Sequence, residues 1–255
     1  MNSTLQLLLD ELVHLSPAAR ALGGAWVVVM ILVPVIKWVL GAGAERIGIS
    51  LGVCFQAALV ALILFESLSS VHAALAVVGI PLFGWGIEFI GSRTGMPFGD
   101  YHYTDVLQPQ IRRVPVIIPL AWLMMIPPAW SVGKLLAGPE SVLLTAVLAG
   151  LAFMAWDLFL DPQMVSWDFW RWPSGGAYLG IPILNFIGWF AAGTVASLLF
   201  YSPDIPAAPL FLVYVVTWIL HTIGQLVFWR LIVSGIVGSV AMGAFVLFSL
   251  LTPAG

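Results

Sequence analysis

Charge is what this sequence has least of. Asp, Glu, Lys and Arg make up 8% of its 255 residues, against roughly 25% in soluble domains. Apolar residues make up 61%, and the mean hydropathy is +1.06. A soluble globule has no use for so much apolar surface, so this is the composition of an integral membrane protein. Cysteine is almost absent. Cys54 stands alone in an apolar run, which excludes an internal disulfide and a cysteine-based metal site. The four histidines, His14, His72, His102 and His221, lie far apart, so the sequence offers no cluster for a di-iron centre or a haem pair. A net charge of -3 without a basic stripe gives no sign of nucleic acid as a partner. Nucleotide-binding glycine loops, HExxH and GxSxG are all missing, and with them the chemistries they serve. Short alternating strands of the barrel type are missing too, which leaves the helical class of membrane protein.

What is present reads as an all-α polytopic bundle forming one integral membrane domain over residues 1–255. A spanning helix needs about 20 apolar residues. Eight such stretches occur, at 22–40, 48–66, 71–91, 115–136, 141–160, 180–201, 208–228 and 232–251. Only Phe228–Gly235 separates the last two, with Arg230 as the main sign of a break. Leu5, Leu8, Leu9 and Leu12 follow helical spacing, which predicts a short amphipathic helix over 4–14 on the membrane surface. Asp10 and Glu11 interrupt that segment and no basic run precedes it, so no cleaved signal peptide is expected. With the N-terminus outside, the inner loops hold Lys37, Arg46, Arg93, Arg112, Arg113, Arg171 and Arg230, and the outer segments only Arg20 and Lys134. Basic residues favour the cytoplasmic side. The expected location is therefore the cell's inner or plasma membrane, crossed several times, with loops 92–114 and 161–179 in the cytoplasm.

Those two loops and the helix ends beside them hold most of the polar chemistry. Glu88 sits inside the apolar third span, with Trp85 three residues earlier on the same face. A carboxylate at membrane depth marks a functional site by default; the bland alternative is an internal ion pair with Arg93 or Arg112. The loop SRTGMPFGDYHYTD follows. Its Gly and Pro residues suggest tight turns that aim Asp100, Tyr101, His102 and Tyr103 at one point, unless the tyrosines are merely an interfacial aromatic belt. In WDLFLDPQMVSWDFWRW, Asp157 and Asp161 are four apart and share a helix face. Two ionised carboxylates that close repel, so either one is protonated or a cation sits between them. Pro162 is expected to end that helix. Trp156 stands beside the pair, while Trp170, Trp172 and an Asp168–Arg171 pair fit either a site or a surface belt. Two polar stripes follow on later spans, Tyr178, Pro182, Asn185 and Trp189, then Tyr214, Trp218, His221 and Gln225. Such stripes serve either as interhelical glue or as site lining.

The phrases EFIGSRTGMPFGDYHYTD, VPVIIPLAW, and DLFLDPQ followed by GGAYLGIPILNFIGWF resemble the integral-membrane carotenoid hydratases, the carotenoid 1,2-hydratase and bisanhydrobacterioruberin hydratase type. The resemblance covers roughly residues 80–190. It implies addition of water across the terminal C1,C2 double bond of an acyclic end group, leaving a tertiary alcohol. Implied partners are a lycopene-like, monocyclic or bisanhydrobacterioruberin-like carotenoid, water and the lipid bilayer, with no cofactor and no metal. Protonating an alkene needs an acid kept neutral and dry, aromatic faces for the carbocation, and a base for the attacking water. Glu88, Asp100, Asp157 and Asp161 are the candidate acids. Trp85, Arg93, Tyr101, His102, Tyr103, Trp156, Tyr178, Asn185, Trp189, Trp218 and His221 are the candidate substrate contacts. One competing reading places Mg²⁺ between Asp157 and Asp161 with Arg93, Arg112 and Arg113 on a prenyl diphosphate. Another is a proton-coupled transporter with Glu88, Asp157 and His221 as its relay.

Overall fold

The computed structural model describes residues 3–138 and 141–252. Its helices are α1 (Ser3–Val13), α2 (Pro17–Leu40), α3 (Ala42–Ser67), α4 (Ser70–Thr94), α5 (Ile117–Ala137), α6 (Val142–Ser166), α7 (Ile183–Phe200), α8 (Ala207–Ile223) and α9 (Ile232–Leu251). A π-helical turn, Gly224–Phe228, prolongs α8. Among the described residues, the eight helices from α2 to α9 are long and apolar enough to cross a membrane. The bundle is all-α and polytopic, as the hydropathy predicts. Spans seven and eight are separate helices: the chain breaks at Arg230, whose φ of 54° lies in the left-handed region.

Helix α5 is the centre of the bundle. Every residue from Ala121 to Gly133 is buried, and α3, α4, α6 and α8 pack around it. Helix α1 lies across the start of α8, where the Glu11 carboxylate accepts the Ala208 N–H at 2.8 Å. Leu8 of α1 is buried and Leu9 exposed; the Leu5 side chain lies outside the described residues.

Two prolines inside helices explain two buried polar contacts. Pro162 does not end α6 as expected; the helix runs on to Ser166. A proline withholds the N–H that would meet the carbonyl four residues back, and the Tyr178 hydroxyl donates to that carbonyl, Leu158 O, at 3.0 Å. In α5, Pro128 frees Met124 O in the same way, and the Gln56 amide donates to it at 3.2 Å. A freed carbonyl met by another donor lets the helix continue at membrane depth.

The two long loops meet at one end of the bundle. Strand β1 (His102–Tyr103) pairs antiparallel with β4 (Trp170–Arg171), His102 opposite Arg171 and Tyr103 opposite Trp170. Strands β2 (Gln110–Ile111) and β3 (Val114–Pro115) form a hairpin. Its two linking residues, Arg112 and Arg113, both have positive φ, the requirement of a type I′ turn. Reporter fusions after Arg113 and after Ser174 are expected to report cytoplasm for both, from the seven-to-two bias in Lys and Arg. A periplasmic signal from either would reverse the orientation.

Candidate active site

Beneath the β1–β4 ribbon lies a small pocket. Its walls include Glu88, Tyr101, Tyr103, Trp122, Asp161, Trp170, Trp172, Asn185 and Trp189. Helix α4 carries Glu88 inward about two turns before its C-terminal Gly95, which takes the left-handed conformation glycine favours. Among the described residues Glu88 makes no ion pair. Its Oε2 accepts the hydroxyl of Tyr101 and, at 2.7 Å, that of Tyr103. Its Oε1 accepts the Trp122 indole N–H at 3.3 Å. Arg93 turns away: it is exposed, lies over the Phe89 ring, and donates to Phe89 O and Arg112 O. Both phenols are pushed well above the ordinary tyrosine range, first by burial and then by the charge of Glu88. They stay O–H donors at neutral pH.

The second acidic group comes from α6. Asp157 and Asp161 are fully buried, and their carboxyl groups lie close enough together for one nitrogen to reach both. The Asn185 amide on α7 donates to both, to Asp157 at 2.9 Å and to Asp161 over a shorter contact. The Trp170 indole donates to Asp161 Oδ1 at 3.1 Å. Asp161 lines the pocket and Asp157 stands behind it.

Aromatic rings make up most of the remaining wall. Trp122 stacks on Trp189 with centroids 5.3 Å apart, Tyr101 packs on Trp172 at 5.6 Å, and Tyr103 meets Trp170 edge-on at 5.6 Å. The pocket shares four wall residues, Ile118, Ala121, Leu160 and Trp170, with a much larger apolar cavity of about 580 Å³. That cavity runs between α2, α3, α5, α6, α8 and the π-helical turn. On the other side, Trp172 separates the pocket from a surface groove bordered by His102, Asp168 and Arg171.

The expected site residues are thus sorted by geometry. Glu88, Tyr101, Tyr103, Asp157, Asp161, Asn185 and Trp189 come together. Trp156 and His221 line the large cavity instead. Asp100 and His102 are exposed, because side chains alternate along an extended chain and Tyr101 and Tyr103 take the inward positions. Trp85 stacks on Phe89, to the side of the pocket. Trp218 donates to Ser239 O of α9 at 2.9 Å, and Tyr178 serves the Leu158 carbonyl, its phenol pushed up to about 12 by burial. Gln225 is interhelical glue, bonded to Phe159 O, Gln163 and Ser234. Trp122, Phe98 and Gln163 are placed by the structure alone. Trp122 had one signal, its position in VPVIIPLAW beside the polar loop.

Asp168 and Arg171 pair on the exposed side of β4, where the Arg171 hydrogen bond holds the Asp168 carboxyl below the usual range. Asp168→Asn is expected to change activity less than about threefold, since exposed pairs contribute little. A larger loss in an assay of the purified protein would mean that the pair positions Trp170 and Trp172.

Fold and site together define a polytopic membrane protein with an acidic, aromatic-walled pocket under one face, adjoining an apolar cavity at lipid depth. The chain belongs to the carotenoid biosynthesis protein family, which matches it over residues 48–250. It is 37% identical over 132 residues to the bisanhydrobacterioruberin hydratase of Haloarcula japonica. That match covers 51% of this chain and 45% of the relative, so the chain spans less than half the length of the protein it matches. No solved structure matches. The family is the one that the polar-loop phrases resemble.

Proposed function

We propose that the protein hydrates the terminal C1,C2 double bond of an acyclic carotenoid end group in the cell membrane. The observation that carries the proposal is the placing of Asp161 and Glu88 in one aromatic-walled pocket that adjoins a large apolar cavity. The cavity suits a polyene chain with its end group at the wall it shares with the pocket, and the pocket itself, about 20 Å³, has room for about one water. Two carboxyls in contact and out of water do not both ionise, so the Asp157–Asp161 pair retains a proton. Asp161, the member facing the pocket, passes that proton to the alkene carbon C2, using the π electrons to form the new C–H bond. The positive charge left at C1 is tertiary, and the faces of Trp122, Trp189, Trp170 and Trp172 stabilise it by about 2 kcal/mol or more per ring when desolvated. Water then bonds to C1 and gives up a proton to Asp161, directly or by way of Glu88, which restores the acid. The sum is one water added, with no electron transferred and no cofactor required.

The relative's name supports a hydratase, and the donor set around the acids supports it over the diphosphate reading. The oxygens of Asp161 meet an indole and an amide N–H, while Arg93, Arg112 and Arg113 are exposed outside the pocket. Expression in a lycopene-producing bacterial host tests the proposal. The extracted pigment is expected to gain one or two waters by mass, and unchanged pigment with the protein present in the membrane would overturn it. Purified protein in detergent is expected to keep its hydration rate in excess chelator. Loss of rate restored by Mg²⁺ would favour the diphosphate reading.

A further inference from the structure

The acidic pocket lies between two larger spaces. At about 20 Å³ it holds about one water. On one side it shares Ile118, Ala121, Leu160 and Trp170 with the apolar cavity. On another, Trp172 alone borders both the pocket and a groove of about 570 Å³ on the loop face. That groove is open to water: His102, Arg171, Pro173 and Gly180 on its rim are exposed.

A water in the pocket meets a carboxyl group on two of its walls. Glu88 Oε1 accepts the Trp122 N–H and Asp161 Oδ1 the Trp170 N–H. A carboxyl group has about four lone-pair sites on its two oxygens, so both side chains keep places for a water hydrogen. Hydration consumes one water per turnover, and a pocket that holds about one must refill every cycle. The apolar cavity is a poor source, because a polyene occupies it during turnover and a water at lipid depth loses its hydrogen bonds. The groove is the better source, and the Trp172 ring stands between it and the acids.

That ring is held by the other loop. Its indole N–H donates to Phe98 O at 3.0 Å, and its face packs on Tyr101 with centroids 5.6 Å apart. Turning it toward the groove breaks one hydrogen bond and one ring contact, a local opening of the kind loop residues make. We propose that the acidic pocket seats the attacking water and that Trp172 is the gate through which this water arrives from the loop face. The polyene and the water then reach the acids from different sides. The need for water rests on the hydration reading; the pocket, the groove and the ring between them do not.

Two measurements test the gate. The first reads access without catalysis. Asp161→Cys is placed in full-length protein carrying Cys54→Ala, so that the pocket holds the one thiol. Its labelling by a water-soluble trimethylammonium methanethiosulfonate is followed by mass in detergent. Adding Trp172→Ala is expected to speed labelling about tenfold or more, since the reagent no longer waits for the ring to open. Trp167→Ala, which widens the apolar cavity instead, should leave the rate unchanged. An unchanged rate in Trp172→Ala, or an equal rise in Trp167→Ala, overturns the gate. The second measurement gives lycopene and a fixed concentration of methanol to protein with both acids intact. Methanol bonds to C1 through its oxygen and loses its proton as water does, leaving a methyl ether. Trp172→Ala is expected to raise the ratio of ether to alcohol about tenfold or more, the scale on which a tight site rejects one extra methyl group. This ratio is independent of any loss in overall rate, and an unchanged ratio overturns the proposal. If circular dichroism shows Trp172→Ala unfolded, Trp172→Phe replaces it. It keeps a ring without the N–H bond to Phe98 O, and a rise of about threefold is then expected in both measurements; no rise overturns the gate. Failure of the hydration reading alone looks different: Trp172→Ala still speeds labelling, yet no variant adds water or methanol to the polyene.

Discussion

Asp161→Asn is expected to lower hydration by ~10² or more while the protein still folds and inserts, the usual scale for removing a general acid. The asparagine keeps the shape of the side chain and can still accept from the Trp170 indole. It has no proton to deliver. Asp157→Asn should cost less, because Asp157 stands behind Asp161 and acts on the pocket only through it and Asn185. Glu88→Gln should fall in the same range as Asp161→Asn, since an amide cannot take the proton from the attacking water. The measurement is the initial rate on purified protein, with circular dichroism to confirm that each variant is folded. Near-normal turnover in Asp161→Asn would remove the paired-acid mechanism and leave Glu88 as the sole donor. Asp100, exposed in the loop, serves as the comparison: Asp100→Asn should stay close to the unsubstituted rate.

Gly150→Val is expected to abolish the folded protein, or to lower its thermal midpoint in detergent more than any substitution in the pocket. Helices α6 and α7 touch backbone to backbone here. A Cβ at position 150 would lie 2.2 Å from Thr194 Oγ1, 2.7 Å from Phe190 O and 2.9 Å from Thr194 N. Two of these are main-chain atoms that cannot rotate away. Gly133 on α5 shows the same closeness on the other side of α6, its Cβ position being 2.3 Å from Thr145 O. Close backbone approach at small residues is how helices gain contact in a membrane, where lipid supplies no hydrophobic drive between them. Overpacking such a contact costs typically 1–3 kcal/mol, a large share of a marginal stability. The same seam holds Asp157 and Asp161 on α6 against Asn185 on α7, so a protein that survives should also lose activity. Gly24→Ala is the control: nothing lies within 4 Å of a Cβ there, and it should melt within about 0.5 kcal/mol of the unsubstituted protein.

Hydropathy by itself determined that the chain is an eight-span helical bundle, because a bilayer demands runs of about 20 apolar residues and few other patterns supply them. The sparse charges marked the end of the bundle where the chemistry gathers, since polar groups at membrane depth are too costly to keep idle. The four-residue spacing of Asp157 and Asp161 put both acids on one side of α6. The direction in which each side chain faces was decided only by the tertiary structure. A helix that is apolar on all sides carries no stripe to show which face meets which neighbour, so Trp122 and Gln56 gave no sign of their partners. Loop residues depend on strand register: pairing His102 with Arg171 turns Tyr101 and Tyr103 inward and leaves Asp100 and His102 in water. Proline is the clearest case. From the sequence Pro162 reads as the end of a helix, yet α6 continues, because the Tyr178 hydroxyl reaches back across the loop to the carbonyl that the proline leaves free.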